Sequence, residues 1–372
     1  MNNNKLHIIS FDVPYPPIYG GVIDVFYKIK ALHKLGVKIH LHAFDNGIGK
    51  QLELNKYCDK IHYYPRTLTL SKIFSRVPFI VKTRSSLELI ENLSIDNAPI
   101  LFEGIHSTFP LINNSFKNRI KIFRAHNIEH NYYNGLAKSE SSKRKKLFYK
   151  TESKKLKRFE PIINNVDYIL SISPFEFDYF SSKYSPKTIY TPAFHKNNEI
   201  ANLSAHGEYA FYHGDLRISD NLKSIDYLIN IFSKLKHKLI ISGGLINKSL
   251  LEKISAHENI EFIKIQSDKH LLELLNDAHV NVLPTFQKTG IKLKLINTLY
   301  NSRFCIVNDA MINGTGLENL CEISNSVDSF QKKIDLLFKK QYSDSQRKKR
   351  EELLQSKFNT TTNAENIVKL IS

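Results

Sequence analysis

The stretch from Gln287 to Asp309, QKTGIKLKLINTLYNSRFCIVND, reads as loop, helix and strand in succession. Ahead of it, Asn281-Val282-Leu283-Pro284 has the form of a strand ending at a proline. Thr289-Gly290 supplies the turn, and Ile291, Leu295, Ile296 and Leu299 then form an apolar stripe at helical spacing. Phe304-Cys305-Ile306-Val307 is a short apolar run suited to a strand buried on both faces. Strand, helix and strand in that order build a parallel sheet. Gly290 lets the backbone approach a ligand, and a helix starting there aims free N–H groups and its positive dipole end outward. Lys292 and Lys294 lie in that first turn, where two cations are unfavourable unless an anion sits beside them. The pattern predicts a phosphate site; a solvated helix face with ordinary lysines is the plainer alternative.

The same alternation extends in both directions. Leu6–Phe11 predicts a first strand, and the loop after it ends in Gly20-Gly21. A helix follows in which Val22, Ile23, Val25, Phe26, Ile29, Leu32 and Leu35 recur at helical spacing, closed by Gly36, and then a strand over Val37–Ala43. That is a βαβ unit with a glycine-bearing loop at the carboxyl end of its first strand, where open parallel sheets bind ligands. Further strands are expected at Lys60–Tyr64, Ile100–Phe102, Ile120–Phe123, Val166–Ser171 and Thr188–Tyr190. Thr191–Gly207 is polar and without period, and predicts a linker. Beyond it, Tyr209–Tyr212, Lys238–Ile241, Ile260–Ile265 and Val280–Leu283 resume the series. Gly214 and Gly243-Gly244 fall at strand ends, and Asn221 is placed to cap a helix.

A second informative stretch is Phe123–Tyr133, FRAHNIEHNYY. Arg124, His126, Asn127, Glu129 and His130 within seven residues are too dense for a core segment, where unpaired polar groups are costly. They follow a strand, so they fall at a sheet's carboxyl end. His126 is the candidate functional residue, against a histidine that only organises the loop. A metal reading of His126 and His130 is weak, since no carboxylate or cysteine cluster completes it. Glu103 also ends a strand; it lines the same region or pairs with Arg124.

The chain's net charge of +17 is uneven. Residues 1–195 carry 29 Lys/Arg against 16 Asp/Glu, a net of +13, while the remainder carries 24 against 20, a net of +4. A basic first half implies an anionic neighbour. Its densest part is Lys138–Arg158, with ten basic residues and two acidic ones. That segment reads as a basic helix, a solvated face or a contact for anionic lipid, with nucleic acid a third option. No ribonucleoprotein, zinc-finger or helix-turn-helix signature accompanies it. Ile73–Ser86 mixes apolar with basic residues and is either a membrane-interface segment or a packed loop and helix. Three cysteines without ligand spacing fit a reducing compartment. No apolar run approaches a transmembrane length and the first residues lack a signal-peptide core, so a cytoplasmic protein is expected, peripheral on the inner face of a membrane.

The two informative stretches resemble segments of the group 1 (retaining, GT-B) glycosyltransferases. Pro284, Gly290, Ile291, Lys292, Lys294 and Leu295 match a donor-binding pattern in register, and Arg124-Ala125-His126-Asn127-Ile128-Glu129-His130 matches an R-x-H-N-I-E-H segment. The Pro16-Pro17…Gly20-Gly21 loop matches a third. The resemblance implies an α/β architecture of two Rossmann-like domains facing a central cleft, with a C-terminal helix crossing back to the first. The expected boundaries are 1–195 for the acceptor-side domain, 196–350 for the nucleotide-sugar domain and 351–372 for the returning helix. It further implies that His126, Lys294 and Arg217 are catalytic. Gly20, Gly21, Gly214, Gly243, Thr289, Gly290, Ile291, Lys292 and Asn297 would bind the donor, and Glu103, Arg124, Asn127 and Glu129 would lie on the acceptor side.

The sequence also departs from the family. Its two glutamates fall on Thr289 and Asn297, and the phosphate-binding arginine and lysine of the common form fall on Asp215 and Asp220. Arg217 is the candidate substitute cation. With no Asp-x-Asp pair in the chain, neither metal nor other cofactor is expected. The reading is a hexosyltransferase-type enzyme that moves a sugar from a nucleoside-diphosphate sugar to a glycan or lipid-linked acceptor in surface polysaccharide assembly. Its partners would be that donor, that acceptor and an anionic membrane surface, with no nucleic acid. The rivals are a GT-B enzyme acting on another nucleotide-sugar bond, and a degenerate GT-B subunit that binds nucleotide or membrane without turnover.

Overall fold

The computed structural model describes residues 5–112, 116–140, 142–287 and 293–372. Its chain divides into two units, the first holding residues 1–196 and 358–372, the second 197–287 and 293–357 within the described range. The first unit is built on a parallel sheet of β1 (Lys5–Ser10), β2 (Lys38–Asp45), β3 (Lys60–Pro65), β4 (Ile100–Glu103), β5 (Lys121–Ala125), β6 (Tyr168–Ser171) and β7 (Thr188–Tyr190). Their spatial order is β3-β2-β1-β4-β5-β6-β7. The order reverses between β1 and β4, so loops leaving their carboxyl ends diverge and open a crevice at that end of the sheet.

Alternation along the strands splits the first core in two. Leu6 and Ile8 of β1 pack with Val22, Val25, Ile29 and Leu32 of the helix Gly20–Lys34, while Ile9 faces the other way with Phe44, Phe102 and Phe123. The helix ends at Gly36, whose φ of 81° is the left-handed conformation that glycine takes without a Cβ penalty. Ala364, Ile367 and Ile371 of the last helix, Thr360–Ile371, belong to the same core as Val22 and Val25.

The second unit repeats the plan with β8 (Tyr209–His213), β9 (Leu239–Gly243), β10 (Ile260–Lys264), β11 (Ala278–Leu283), β12 (Phe304–Val307) and β13 (Glu322–Ile323), all parallel, in the order β10-β9-β8-β11-β12-β13. Its switch point lies between β8 and β11. The helix Asp344–Phe358 stays mostly with this unit: Arg350 donates to the carbonyls of Leu299, Ser302 and Arg303, and Leu354 is fully buried. The return to the first unit therefore starts at Phe358 rather than at 351. Thr191–Pro192, expected in a linker, are part of the first unit, because their carbonyls accept from Arg124.

Candidate functional site

In the first unit a buried charge cluster lies under the switch-point crevice. Asp24 sits in the inward face of the helix Gly20–Lys34, and Lys28 follows one turn later on the same face. Lys28 Nζ donates to Asp24 Oδ2 at 2.9 Å and to Glu103 Oε1, at the end of β4, at 2.6 Å. Arg124, near the end of β5, forks onto Asp24 through Nε–Oδ2 at 3.0 Å and Nη2–Oδ1 at 2.7 Å. Phe194 N–H also donates to Asp24. Asp24, Lys28, Glu103 and Arg124 are all fully buried. Burial alone would raise both carboxyls. For Asp24 the Arg124 and Lys28 cations outweigh it, and for Glu103 Lys28 and then His126 do, so both are held below the usual carboxylate range.

His126 stands on this base. Its Nε2 lies 2.8 Å from Glu103 Oε2. An ionised Glu103 only accepts, so Nε2 carries the hydrogen, and in the neutral ring Nδ1 is left with a lone pair. Nδ1 is buried and, among the described residues, has no partner. A buried polar atom left unmatched costs free energy that a ligand hydroxyl recovers. The ring meets Phe11 edge to face at 5.5 Å between centroids, and Phe11 in turn fills the space beside Gly21, where an added Cβ would come within 2.6 Å of its Cζ. Gly21 thus sets the position of Phe11, and Phe11 that of His126.

Glu103 and Arg124 do not form the pair considered from sequence. Each is enclosed and committed to other partners, so they orient the site from below. Glu129 is buried as well, and burial pushes its carboxyl up to about 7 against a long hydrogen bond from Asn127. Asn127 is half-exposed, and Gly20 is the first residue of its helix. Asp24, Glu103 and His126 bring three donor atoms within 4.8 Å of one another, a spacing that could hold a metal ion. The Lys28 ammonium already bridges the two carboxylates, so a divalent cation does not fit there.

The second unit gathers a polar group at the carboxyl end of β8. Lys294, in the first turn of the helix Leu293–Asn301, places Nζ 3.0 Å from Asn221 Oδ1, 3.3 Å from the Tyr212 hydroxyl and 4.5 Å from the centre of the Tyr212 ring. Gly214 leaves little room for a side chain: a Cβ would lie 3.1 Å from both Lys294 Nζ and Asn221 Cγ, so those side chains would have to shift. One on Gly243 would lie 2.7 Å from the Gly214 carbonyl. The structure therefore brings together Gly214, Gly243 and Lys294. Asn221 is not the helix cap: the helix begins at Ser219, and the Asn221 amide donates to the Asp215 carbonyl while its oxygen receives Lys294 and Tyr212.

Arg217 is exposed and forked onto the Asp215 carboxylate, at 2.9 and 2.7 Å, so its charge is met locally. Asp220 accepts from the Thr285 hydroxyl and the Phe286 N–H, which makes it a brace for the loop after β11. Asn297 is half-exposed, and its oxygens accept from Asn301. Thr289, Gly290, Ile291 and Lys292 lie outside the described residues.

Two parallel doubly wound units, each with polar residues at its switch point, and a last helix returning to the first, define a GT-B protein. Residues 208–340 match the family described as glycosyl transferases group 1. A protein in the cps region of Klebsiella pneumoniae, uncharacterised and of 44.6 kDa, is 27% identical over 335 residues, 84% of each chain. The sucrose-phosphate synthase of Thermosynechococcus elongatus superimposes with a TM-score of 0.72 at 16% identity, covering 99% of this chain and 98% of that one. Anabaena HepE, solved with UDP and glucose, gives 0.65 at 9% identity and 98% of each chain. The chain has the GT-B fold, and its second unit resembles the group 1 glycosyltransferases over residues 208–340.

Proposed function

We propose that the protein transfers a sugar, of hexose type, from a nucleoside-diphosphate sugar to a glycan or lipid-linked acceptor in surface polysaccharide assembly. Transfer proceeds with retention, without a metal ion, and on the inner face of a membrane. The observation that carries this reading is the unmatched His126 Nδ1 held in place by Glu103. It is a fixed acceptor for a sugar hydroxyl at the carboxyl end of the first sheet. Lys294 is its counterpart in the second unit, an ammonium beside Gly214 where a diphosphate's backbone-close approach is possible. As the bond from the anomeric carbon to the diphosphate breaks, Lys294 meets the charge that develops on the leaving oxygens. The donor phosphate takes the proton of the attacking hydroxyl on the same face, so the configuration is retained without a carboxylate nucleophile. A preorganised donor of this kind is worth about 3–4 kcal/mol of barrier. The relative in a cps region supports the polysaccharide setting, and the neighbour holding UDP and glucose supports a nucleotide-sugar donor.

A second reading, a nucleotide-binding subunit without turnover, is favoured by one observation: Arg217 is neutralised by Asp215, and Asp220 is spent as a brace. The deciding experiment is a thermal-shift screen against UDP, GDP, ADP, CMP and dTDP in EDTA, followed by hydrolysis of the sugar conjugates of the nucleotide that binds. Stabilisation by one diphosphate, near 2.7 kcal/mol at about a hundredfold excess over Kd, with turnover in EDTA is the expected result. Binding without turnover gives the second reading, and silence from every nucleotide rejects both.

A further inference from the structure

We infer that the segment Leu68–Phe79 and the helix Lys143–Phe159 together form a surface that docks on an anionic lipid bilayer. The proposal gives the membrane reading above a specific site, and it is tested without donor or acceptor. Large apolar side chains in this segment are turned to solvent: Leu70 is 80% and Phe74 88% exposed, and Leu68 59%. Burying them inside the protein would be favourable, yet the fold leaves them out. Isolated exposed apolar residues are ordinary, but three within seven residues form a patch that signals a partner.

The basic helix lies alongside. Its Lys155 ammonium donates to the Ile73 carbonyl, its Glu152 carboxylate accepts from the Phe79 N–H at 2.6 Å, and its Phe148 ring meets Phe79 edge to face at 5.8 Å. These contacts consume the helix's single acidic residue, Glu152, and leave Lys143, Arg144, Lys145, Lys150, Lys154 and Lys157 exposed, with Leu147 67% exposed among them. On the neighbouring segment Arg76 is exposed too. Exposed aromatic and aliphatic side chains next to a helix that carries exposed ammonium and guanidinium groups fit a bilayer whose surface is anionic: the apolar tips enter the acyl boundary and the cations meet the headgroups. Charge complementarity selects an anionic partner, and the apolar tips select a bilayer over a nucleic acid, whose phosphate backbone offers nothing for Leu70 to enter.

The experiment is co-sedimentation of the full chain with vesicles of phosphatidylcholine alone and with phosphatidylglycerol added, at low and raised ionic strength. Wild-type protein is expected to sediment with the anionic vesicles and to be partly released by salt. Lys143→Glu with Arg144→Glu and Lys145→Glu should weaken that binding roughly tenfold or more. Leu70→Ser with Phe74→Ser should weaken it as well, with the salt-resistant fraction lost. All five residues are exposed, so melting temperatures should stay unchanged and binding loss is not confused with unfolding. Equal partition onto neutral and anionic vesicles would overturn the inference. So would a Leu70→Ser, Phe74→Ser variant that binds like wild type, which would mark the basic helix as a polyanion site instead. Vesicle binding without sugar transfer counts against the proposed function alone, and transfer without vesicle binding counts against this surface alone.

Discussion

Replacing Glu103 by glutamine tests how His126 is held. Glutamine keeps the size of the side chain and removes its charge, so the cavity is conserved while two ionic hydrogen bonds are altered. The amide oxygen can still accept from Lys28, now 2.6 Å away, but the NH2 group then faces His126 Nε2. Two donors cannot meet, so the imidazole moves its hydrogen to Nδ1, and the lone pair offered to substrate becomes an N–H. Lys28 keeps Asp24 as a partner at 2.9 Å, so its ammonium is not left bare. A charge-assisted hydrogen bond is worth about 1.5–3 kcal/mol, and stability should fall by roughly that amount. At about 2–4 °C per kcal/mol for a unit of this size, a fall of several degrees in melting temperature is expected. The catalytic effect is read from a cycle of Glu103→Gln, His126→Asn and the double variant, measured as kcat/KM for transfer. If Glu103 acts only through His126, the double variant is no slower than His126→Asn alone, a coupling of about 1–3 kcal/mol between contacting residues. Additive losses, with coupling below about 0.5 kcal/mol, would refute the arrangement described here.

Lys294→Ala should remove most of the thermal shift given by the bound nucleoside diphosphate and slow donor cleavage by roughly 100-fold or more, while the unliganded melting temperature changes little; an unaltered shift would mean the phosphate lies elsewhere. Gly21→Ala drives a methyl to 2.6 Å from Phe11, so a loss of about 1–3 kcal/mol on chemical denaturation is expected together with reduced activity, because Phe11 leans on His126. His7, buried between His42 and Asp96, is held down at about 4, first by burial. The unfolded chain therefore binds its proton more readily, and stability is full above pH 6.5 and declines toward pH 4, by up to about 3 kcal/mol. His7→Gln should flatten that part of a stability-against-pH curve, and an undiminished slope would assign it to other groups. Glu129 runs the opposite way: raised to about 7, it favours folding below pH 4.5 and loses that contribution as pH climbs through 7. Glu129→Gln should thus melt higher than wild type at pH 8, and a lower melting temperature would contradict the buried, protonated carboxyl.

Most of the framework was legible because most strands are apolar runs bounded by turn residues. Thr188–Tyr190 and Phe304–Val307 have the bounds expected of them, and the turn at Gly36 follows from its glycine. Glu322–Ile323 escaped notice because two residues between polar neighbours carry no period. The site was legible where a polar cluster interrupts an apolar pattern, as at His126, and hidden where function depends on partners far along the chain. Asp24 binds Arg124 across 100 residues, and no local spacing reports that. A signal existed nonetheless: Asp24 and Lys28 stand four apart on the helix face that also carries Val25 and Ile29, a place where charges survive only in pairs. For Asp215 and Asp220 the sequence showed only that cations were missing. Their roles as partner of Arg217 and brace for Thr285 depend on loop geometry that spacing does not reveal.

The closing helix, Thr360–Ile371, has a bearing on how the protein is made. Ala364, Ile367 and Ile371 complete a core whose other residues begin at Leu6. During synthesis the first unit emerges early but lacks its last packing layer until residues 360–371 have been made, whereas the described residues of the second unit all lie between 197 and 357 and are made ahead of that layer. The usual order of domain completion is therefore inverted. A nascent chain carries the uncovered apolar face of Val22 and Val25 until that helix is made, and a chain that stops before residue 360 keeps that face open.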